Sequence, residues 1–155
     1  MDIEKMKQDN CFEEVKALID KGENLFITGG GGVGKSYLLN ELKKHYQNDL
    51  TLTSTTGISA INISGQTLHS WAGIGIANKP VNEVVKSIRY KSSVFKQLNK
   101  CKILAIDEVS MLDNFTIDYV NEVLKQVRGT RLAFGGIQVI LVGDFFSYHL
   151  LKLTR

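Results

Sequence analysis

The feature that most constrains the fold is a glycine-rich turn at residues 28–36, which lies between a short apolar segment and a helix-like pattern. The turn reads Thr-Gly-Gly-Gly-Gly-Val-Gly-Lys-Ser and follows the pattern G-x-x-x-x-G-K-S. Gly29 and Gly34 let the backbone turn tightly and approach a ligand closely, because they carry no side chain. The backbone N–H groups of the turn and the positive end of the following helix then point toward the same position. This arrangement predicts a phosphate-binding site.

The last residues of the turn predict what is bound there. We expect the Lys35 ammonium to reach the β and γ phosphates of a nucleoside triphosphate and the Ser36 hydroxyl to ligate Mg²⁺. The alternative is a flexible glycine loop without a ligand, which the strand before it and the helical spacing after it disfavour. The residues expected to contact the nucleotide are Gly29, Gly30, Gly31, Gly32, Val33, Gly34, Lys35, Ser36, Tyr37 and Asp144.

The nearly all-apolar segment at residues 102–107 ends in Asp107, and Glu108 follows it directly. In a nucleotide-binding fold of this kind, Asp107 is expected to hold Mg²⁺ and Glu108 to orient or deprotonate the water that attacks the γ-phosphate. Alone, the pair is weak evidence, because it more often marks a helix start or a solvated turn. Together with the glycine-rich turn it favours hydrolysis over binding alone, with Lys35, Asp107 and Glu108 as catalytic residues.

Another acidic residue, Asp144, follows a second apolar segment at residues 137–142. It is expected to lie near the nucleotide and to sense the γ-phosphate, although a polar turn is an equal alternative.

Strand-like and helix-like segments alternate along the chain, which predicts a three-layer α/β domain with a mainly parallel sheet and its ligand at the carboxyl ends of the strands. An opening helix is predicted at residues 10–21, from the apolar residues Phe12, Val15, Leu18 and Ile19. Strands are predicted at residues 24–27, 50–54, 102–107 and 137–142.

Composition excludes several classes of protein. No apolar run approaches the roughly 20 residues that span a bilayer, and the charged start does not resemble a signal peptide, so we expect an intracellular protein without membrane contact. Cys11 and Cys101 are isolated, which argues against a zinc site and a disulfide framework.

The net charge of +3 is small, but residues 79–102 contain seven basic residues and one acid. This segment is a candidate for contact with nucleic acid, and a solvated helical face is an equal alternative.

Five segments, taken in order and spacing, resemble the petite-integration-frequency (PIF) DNA helicases of the RecD-like branch of superfamily one. The resemblance covers roughly residues 10–146, and Thr-Leu-His-Ser at 67–70 together with Asp-Glu-Val-Ser-Met-Leu at 107–112 is its most specific part. The segments are residues 28–36, 55–60, 65–73, 106–112 and 134–146. A clamp-loader-like or replication-initiator ATPase would share the glycine-rich turn and the acidic pair but would not require Thr-Leu-His-Ser.

The resemblance implies an enzyme that hydrolyses ATP with Mg²⁺ to move 5′ to 3′ along single-stranded DNA and to separate duplex DNA, in repair, recombination, telomere and genome maintenance. It implies a RecA-like fold for residues 1–146, as the amino-terminal one of two motor domains. The residues that match the family's DNA-contacting segments are Thr56, Gly57, Thr67, His69 and Ser70. His69 or Trp71 is also expected to offer a ring for base stacking.

The chain departs from the family pattern after residue 146. The family continues with Gln-Leu-Pro-Pro-Val, whereas this chain reads Ser-Tyr-His-Leu-Leu-Lys, and a shift of reading frame near residue 147 is one hypothesis for this tail at residues 147–155. The second motor domain and its arginine finger lie outside the chain. We therefore expect an incomplete domain, truncated at its carboxyl end and poorly soluble, that is inactive as a helicase alone; the alternative is a nucleotide-binding module without turnover.

Overall fold

A computed structural model describes residues 3–28 and 33–144, and in these residues five parallel strands form one sheet. The order across the sheet is β1-β5-β4-β2-β3, so that strands distant in sequence lie side by side. The strands are β1 (Leu25–Ile27), β2 (Leu50–Ser54), β3 (Gln66–Thr67), β4 (Ile103–Asp107) and β5 (Gln138–Val142).

Helices cover both faces of this sheet. The helices α1 and α2 lie on one face, and α4 to α7 lie on the other. They are α1 (Ile3–Asp20), α2 (Val33–Tyr46), α3 (Gly57–Asn62), α4 (Leu68–Ala72), α5 (Val81–Tyr90), α6 (Ser92–Lys100) and α7 (Asn114–Arg128). None of these helices has the length and apolar character that a bilayer crossing requires.

The central strand β4 shows how the sequence produces two separate cores. Successive side chains of a strand point to opposite faces. Ile103 and Ala105 therefore pack with α1 and α2, while Leu104 and Ile106 pack with the other helical layer. Every residue of this strand is buried, which explains why the segment is almost entirely apolar rather than alternating.

The predicted three-layer α/β architecture is confirmed. The predicted strands agree with β1, β2, β4 and β5 to within one residue at each end. The two-residue strand β3 was not predicted, because it is too short to show a periodic pattern.

The opening helix differs from its prediction in two ways. It begins at Ile3 rather than Asn10, because the residues before the apolar stripe are good helix formers and contain no glycine or proline. Leu18 is 40% exposed, so the buried side of α1 is formed by Val15 and Ile19 instead.

Arg128, at the end of α7, joins three parts of the second helical layer. Its guanidinium donates hydrogen bonds to the carbonyl oxygens of Leu98 (2.8 Å) and Asn99 (2.9 Å), near the end of α6, and of Gly135 (2.7 Å), before β5. The last carbonyls of a helix have no partner within the helix. One side chain therefore satisfies the end of α6 and fixes the approach to β5.

Gly65 is required by a close approach to β2. A Cβ atom at this position would lie 2.5 Å from the carbonyl oxygen of Leu52, a backbone atom in the middle of that strand. A Cβ at Gly57, eight residues earlier, would meet no atom within 4 Å.

We expect Gly65→Ala to destabilise the fold by roughly 1–3 kcal/mol, because the added methyl group would push the turn that contains residue 65 away from the backbone of β2. The measurement is the free energy of urea unfolding. Gly57→Ala is the matched control and should be neutral or slightly stabilising, since alanine has the higher helix propensity. Equal stability of the two variants would contradict the close approach.

Candidate functional site

Three neighbouring strand ends create the site. The helix α2 follows β1, Asp144 follows β5, and Asp107 is the last residue of β4. Because β1, β5 and β4 are adjacent and parallel, their carboxyl ends meet at one edge of the sheet. The first turn of α2, with Lys35 and Ser36, opens at the same edge.

Lys35 and Asp144 form an ion pair at this edge, although 109 positions separate them in sequence. The Lys35 side chain is largely buried, with 13% of its surface exposed, whereas the Asp144 side chain is 53% exposed. The ammonium of Lys35 is therefore held at the end of β5, where Asp144 was predicted to lie near the nucleotide.

Asp107 is buried, with 7% of its surface exposed, and its Oδ1 accepts a hydrogen bond from the backbone N–H of Glu108 at 2.9 Å. Burial raises the pKa of the Asp107 carboxyl above its ordinary value, while the Glu108 N–H and the charge of Lys35 act in the opposite direction and the charge of Asp144 adds to the rise. The three charged side chains thus act on one another at a single point.

Glu108 has a left-handed backbone, with φ of 56° and ψ of 40°. Its carbonyl oxygen accepts hydrogen bonds from the Thr55 hydroxyl at 2.9 Å and from the Met111 N–H at 3.0 Å, and its own N–H is bonded to Asp107. A residue with a Cβ in this region costs of order 1–3 kcal/mol and persists only where its surroundings hold it. The backbone is therefore clamped on both sides while the carboxylate faces solvent.

Hydroxyl groups from β2 hold the end of β4. Thr53 donates to the Ala105 carbonyl at 2.8 Å, Ser54 donates to the Asp107 carbonyl at 3.4 Å, and the Thr55 N–H donates to the same carbonyl at 3.3 Å. Thr53 and Ser54 are buried. The position of Asp107 therefore depends on polar contacts inside the sheet as well as on the ladder between the strands.

Sequence reasoning missed two supporting residues. Thr55 holds Glu108, and Gly143 gives room to the segment after β4, since a Cβ there would lie 3.0 Å from Cγ1 and 3.2 Å from the N atom of Val109. The signal for Gly143 was present as a glycine directly after a buried strand, which often marks a close backbone approach.

The remaining predicted nucleotide contacts fall into two groups. Ser36 and Tyr37 are half-buried in the first turns of α2, and Gly34 has open space around its Cβ position. No atom of the described residues therefore requires glycine at 34, and close approach to a ligand stays a prediction for this position. Gly29 to Gly32, the side chain of Val33 and the tail at residues 145–155 lie outside the described residues.

The predicted DNA contacts lie at the same edge, where β2 leads into α3 and β3 leads into α4. Thr56 caps α3 by accepting a hydrogen bond from the Ser59 N–H at 3.2 Å, and Thr67 caps α4 in the same way with the Ser70 N–H at 3.2 Å. Gly57 and Ser70 are exposed, and His69 is half-buried. Ser54 of β2 pairs with Thr67 on one side and with Asp107 of β4 on the other. The Thr56 cap therefore follows the strand next to β4, and the Thr67 cap lies one strand further out.

The expectation for Trp71 is wrong. Its side chain is 1% exposed and belongs to the core under α4, and its carbonyl accepts a hydrogen bond from the Gln97 amide at 2.7 Å. Of the two rings suggested for base stacking, only that of His69 reaches the surface. The basic residues of segment 79–102 are exposed on and around α5 and α6, in the layer opposite α2.

The donor set fits Mg²⁺ bound together with a phosphate chain. Magnesium commonly uses one or two carboxylates, with waters and substrate phosphates completing its shell, and Asp107 with the Ser36 hydroxyl offers such a set at one edge. In residues 3–28 and 33–144, no group of three or more His, Cys, Asp or Glu side chains forms a cage that would hold a metal without a ligand.

Known proteins share these segments. The family model described as PIF1-like helicase matches residues 4–150, which is nearly the whole chain. This chain belongs to the PIF1-like helicase family. The protein named ATP-dependent DNA helicase PIF1 of Emericella nidulans is 41% identical over 140 residues, which cover 86% of this chain and 19% of that protein.

Solved structures of PIF1 helicases share the fold. The crystal structure of Pif1 helicase from Candida albicans has a TM-score of 0.79 and 36% identity, over 90% of this chain and 32% of that one. Pif1 helicase from Bacteroides, in complex with ADP-AlF3 and ssDNA, has a TM-score of 0.71 and 33% identity over 88% of this chain and 32% of that one. The chain thus spans about a fifth to a third of these PIF1 proteins.

We expect Asp107→Asn to stabilise the PIF1-like domain at neutral pH without nucleotide or Mg²⁺. The folded pKa of Asp107 is raised, so its contribution to stability is fully present below the unfolded pKa of about 3.9 and is lost as the pH rises through the folded pKa. Asparagine keeps an oxygen that accepts the Glu108 N–H but cannot ionise.

The measurement is the urea midpoint of both proteins between pH 3.5 and 8, a range chosen to include the ordinary aspartate pKa of about 3.9. The midpoint of Asp107→Asn should exceed that of the unchanged chain at pH 7, and the difference should disappear in acid. Asp118→Asn, at an exposed position of α7, is the control and should show no such difference. Equal midpoints at pH 7 would contradict the cost of burial.

Proposed function

We propose that residues 1–146 are the amino-terminal, RecA-like motor domain of an ATP-dependent DNA helicase. ATP would bind where β1, β5 and β4 end, and single-stranded DNA would cross the adjoining ends of β2 and β3. The observation that carries this proposal is the convergence of Lys35, Asp107 and Asp144 at one sheet edge, beside the helix caps Thr56 and Thr67. The names of the relatives and the nucleotide and DNA in the Bacteroides complex support it.

Lys35 is the residue that would receive the terminal phosphates. Its ammonium is already held at the end of β5 by the Asp144 carboxylate. A phosphate oxygen could therefore take the place of the carboxylate oxygen with little movement of the lysine. Backbone N–H groups at the start of α2 would bind the phosphates that Lys35 does not reach. Asp144, released from Lys35, would then report that the γ-phosphate is present.

Ser36 and Asp107 would hold Mg²⁺. When bound, this ion neutralises charge on the β and γ phosphates as the bond between them breaks. The buried position of Asp107 and its hydrogen bond from Glu108 orient the carboxylate toward the edge.

Glu108 would act as the general base. Glu108 directly follows Asp107, and its side chain is exposed. Hydrogen bonds to its carbonyl and from its N–H fix the orientation of its backbone, and thereby the orientation of its Cα–Cβ bond. A carboxylate in this position can accept a proton from the attacking water as that water bonds to the γ-phosphorus. The left-handed backbone is consistent with strain retained for function.

The DNA contacts would be independent of base sequence. The hydroxyls of Thr56 and Thr67 accept hydrogen bonds within the domain and can still donate to phosphate oxygens. Exposed backbone at Gly57 and the Ser70 hydroxyl add further donors, and the His69 ring can stack on a base. Because β2 lies next to β4, movement of DNA at this edge would be coupled directly to the nucleotide site.

Unwinding would require a second motor domain. Two domains that close on ATP and open after hydrolysis can advance along a strand, while a single domain offers no second grip. We propose 5′ to 3′ movement from the family resemblance, duplex separation as its result, and an intracellular site where DNA is present.

We expect Lys35→Ala to weaken binding of ATP·Mg about 10-fold or more, because it removes a charged hydrogen-bond donor worth roughly 1.5–3 kcal/mol. The measurement is titration with a fluorescent ATP analogue. Lys44→Ala, an exposed lysine of the same helix, is the control and should bind normally. Unchanged affinity in Lys35→Ala would contradict the nucleotide site.

Hydrolysis is tested on the same proteins by phosphate release with and without oligothymidylate. Glu108→Gln should keep nucleotide affinity while losing about 10²–10⁴-fold in turnover. If the unchanged chain binds ATP·Mg but releases no phosphate even with DNA, it is a nucleotide-binding module whose turnover needs the second domain.

We expect His69→Ala to weaken binding of single-stranded DNA about 5-fold or more, since a stacked base contributes roughly 1–3 kcal/mol, while ATP affinity stays unchanged. The measurement is fluorescence anisotropy of a labelled oligothymidylate. His45→Ala, an exposed histidine at the end of α2 on the opposite side of the sheet, is the matched control. Equal DNA affinity in the two variants would remove His69 from the DNA contacts.

A further inference from the structure

A second basic surface lies on the outer side of α5, away from the proposed nucleotide and DNA edge. Its centre is formed by Lys86 and Tyr90, one helical turn apart and therefore neighbours on the helix surface. We propose that this surface binds single-stranded nucleic acid, with the Tyr90 ring stacked on a base and Lys86 in contact with the adjoining phosphates.

The packing of α5 aims these residues at solvent. Val84, Val85 and Ile88 form the buried side of the helix, which packs against α6 and α7. The opposite side carries Lys86 and Tyr90, and 82% of Tyr90 is exposed. Exposed tyrosine of this extent leaves a flat ring available at little cost in conformational entropy.

Clefts on both sides of the helix surround this pair. One has a volume of about 560 Å³ and lies between α5 and the segment that follows α4, including Lys79. The other has a volume of about 510 Å³ and extends toward Gln126 of α7. Lys86 and Tyr90 line both clefts, so they form a ridge along which a strand can place successive nucleotides.

The charges of the surface are not neutralised by neighbours. Within the described parts of the chain, Lys79, Lys86 and Lys91 have no carboxylate within 4 Å. Arg89 makes a 3.4 Å hydrogen bond to the carbonyl of Gln126, which leaves its charge uncompensated. Among the described residues that line either cleft, Glu83 is the one acid.

The combination of a ring and lysines favours a single strand over other polyanions. A duplex keeps its bases stacked inside, so it would use the lysines but not the Tyr90 ring. Amide and hydroxyl side chains in the clefts, such as Asn78, Asn82 and Ser87, add donors and acceptors for phosphate, sugar and base edges. An acidic protein segment would pair with the lysines but would offer no planar group to stack on the Tyr90 ring.

The surface is separate from the edge where Asp107 lies. Lys79 is placed by its carbonyl, which accepts a hydrogen bond from the Tyr119 hydroxyl at 2.7 Å, and Arg89 lies beside Gln126, two residues before the end of α7. The basic ridge therefore follows the length of α5 along the outer helical layer. This inference rests on the proposed function in one respect: if the protein is a DNA helicase, the single strand bound here is DNA.

The test is fluorescence anisotropy with oligothymidylate of about 15 nucleotides, near the upper site size of single-strand-binding folds. It is made in the His69→Ala chain so that edge contacts are weakened. Adding Tyr90→Ala should lower affinity about 5-fold or more, Tyr90→Phe should not, and neither should change binding of an abasic oligonucleotide of the same length. Lys86→Glu should lower affinity for both and reduce the salt slope by about 0.7 for each phosphate that is no longer neutralised.

Lys21→Glu, an exposed lysine after α1 that changes the net charge equally, is the control. Binding by Tyr90→Ala and Lys86→Glu equal to that of the control would overturn the proposal. The proposal would also be overturned if only Lys86→Glu lowered affinity and the unchanged surface bound duplex and single strand equally well. That result would indicate a surface that recognises phosphates alone. Comparison of oligouridylate with oligothymidylate shows whether the surface prefers RNA or DNA. If Tyr90→Ala lowers affinity and His69→Ala does not, this surface is supported and the proposed DNA contacts at the sheet edge are contradicted.

Discussion

The parallel arrangement of β1, β5, β4 and β2 is the constraint on which the rest of the structure depends. Strands that run in one direction place all their carboxyl ends at one edge, and in such sheets that edge is where ligands bind. Lys35, Asp107 and Asp144 come together for this reason, although the glycine-rich turn and the two carboxylates are widely separated in sequence. The proposed DNA contacts meet the same edge because β3 continues the parallel sheet beyond β2.

Polar groups at this edge are held by contacts that an apolar core cannot supply. The Thr53 hydroxyl donates to the Ala105 carbonyl in β4, and the Thr55 hydroxyl donates to the Glu108 carbonyl directly after it. The buried Asp107 carboxylate between them accepts the Glu108 N–H, since a buried polar group without a partner is costly. Two helical layers protect the sheet on its faces, while the edge keeps charge and hydrogen-bonding capacity. Stability therefore comes from the faces, and the chemistry is concentrated where the strands stop.

Much of this arrangement is predictable from the sequence because its signals are local. The short, continuous apolar segment that ends in Asp107 and Glu108 predicts a buried strand with acids at its carboxyl end. It predicts a nucleotide site only because the same chain also contains the glycine-rich turn. The environment of Trp71 could not be predicted, since its burial depends on how α4 packs against α6. The pairing of Lys35 with Asp144 likewise arises from strand order, because β5 lies between β1 and β4.

The ion pair between Lys35 and Asp144 makes the aspartate an internal competitor for the lysine. A tethered carboxylate acts at an effective concentration on the order of millimolar or more, so a weakly charged anion at lower concentration cannot displace it. A polyphosphate in the proposed site would displace it, because several negative charges would approach Lys35 and the first turn of α2 together. In the proposed nucleotide site, the half-exposed aspartate would thus favour a ligand with several negative charges, such as a triphosphate, over inorganic phosphate.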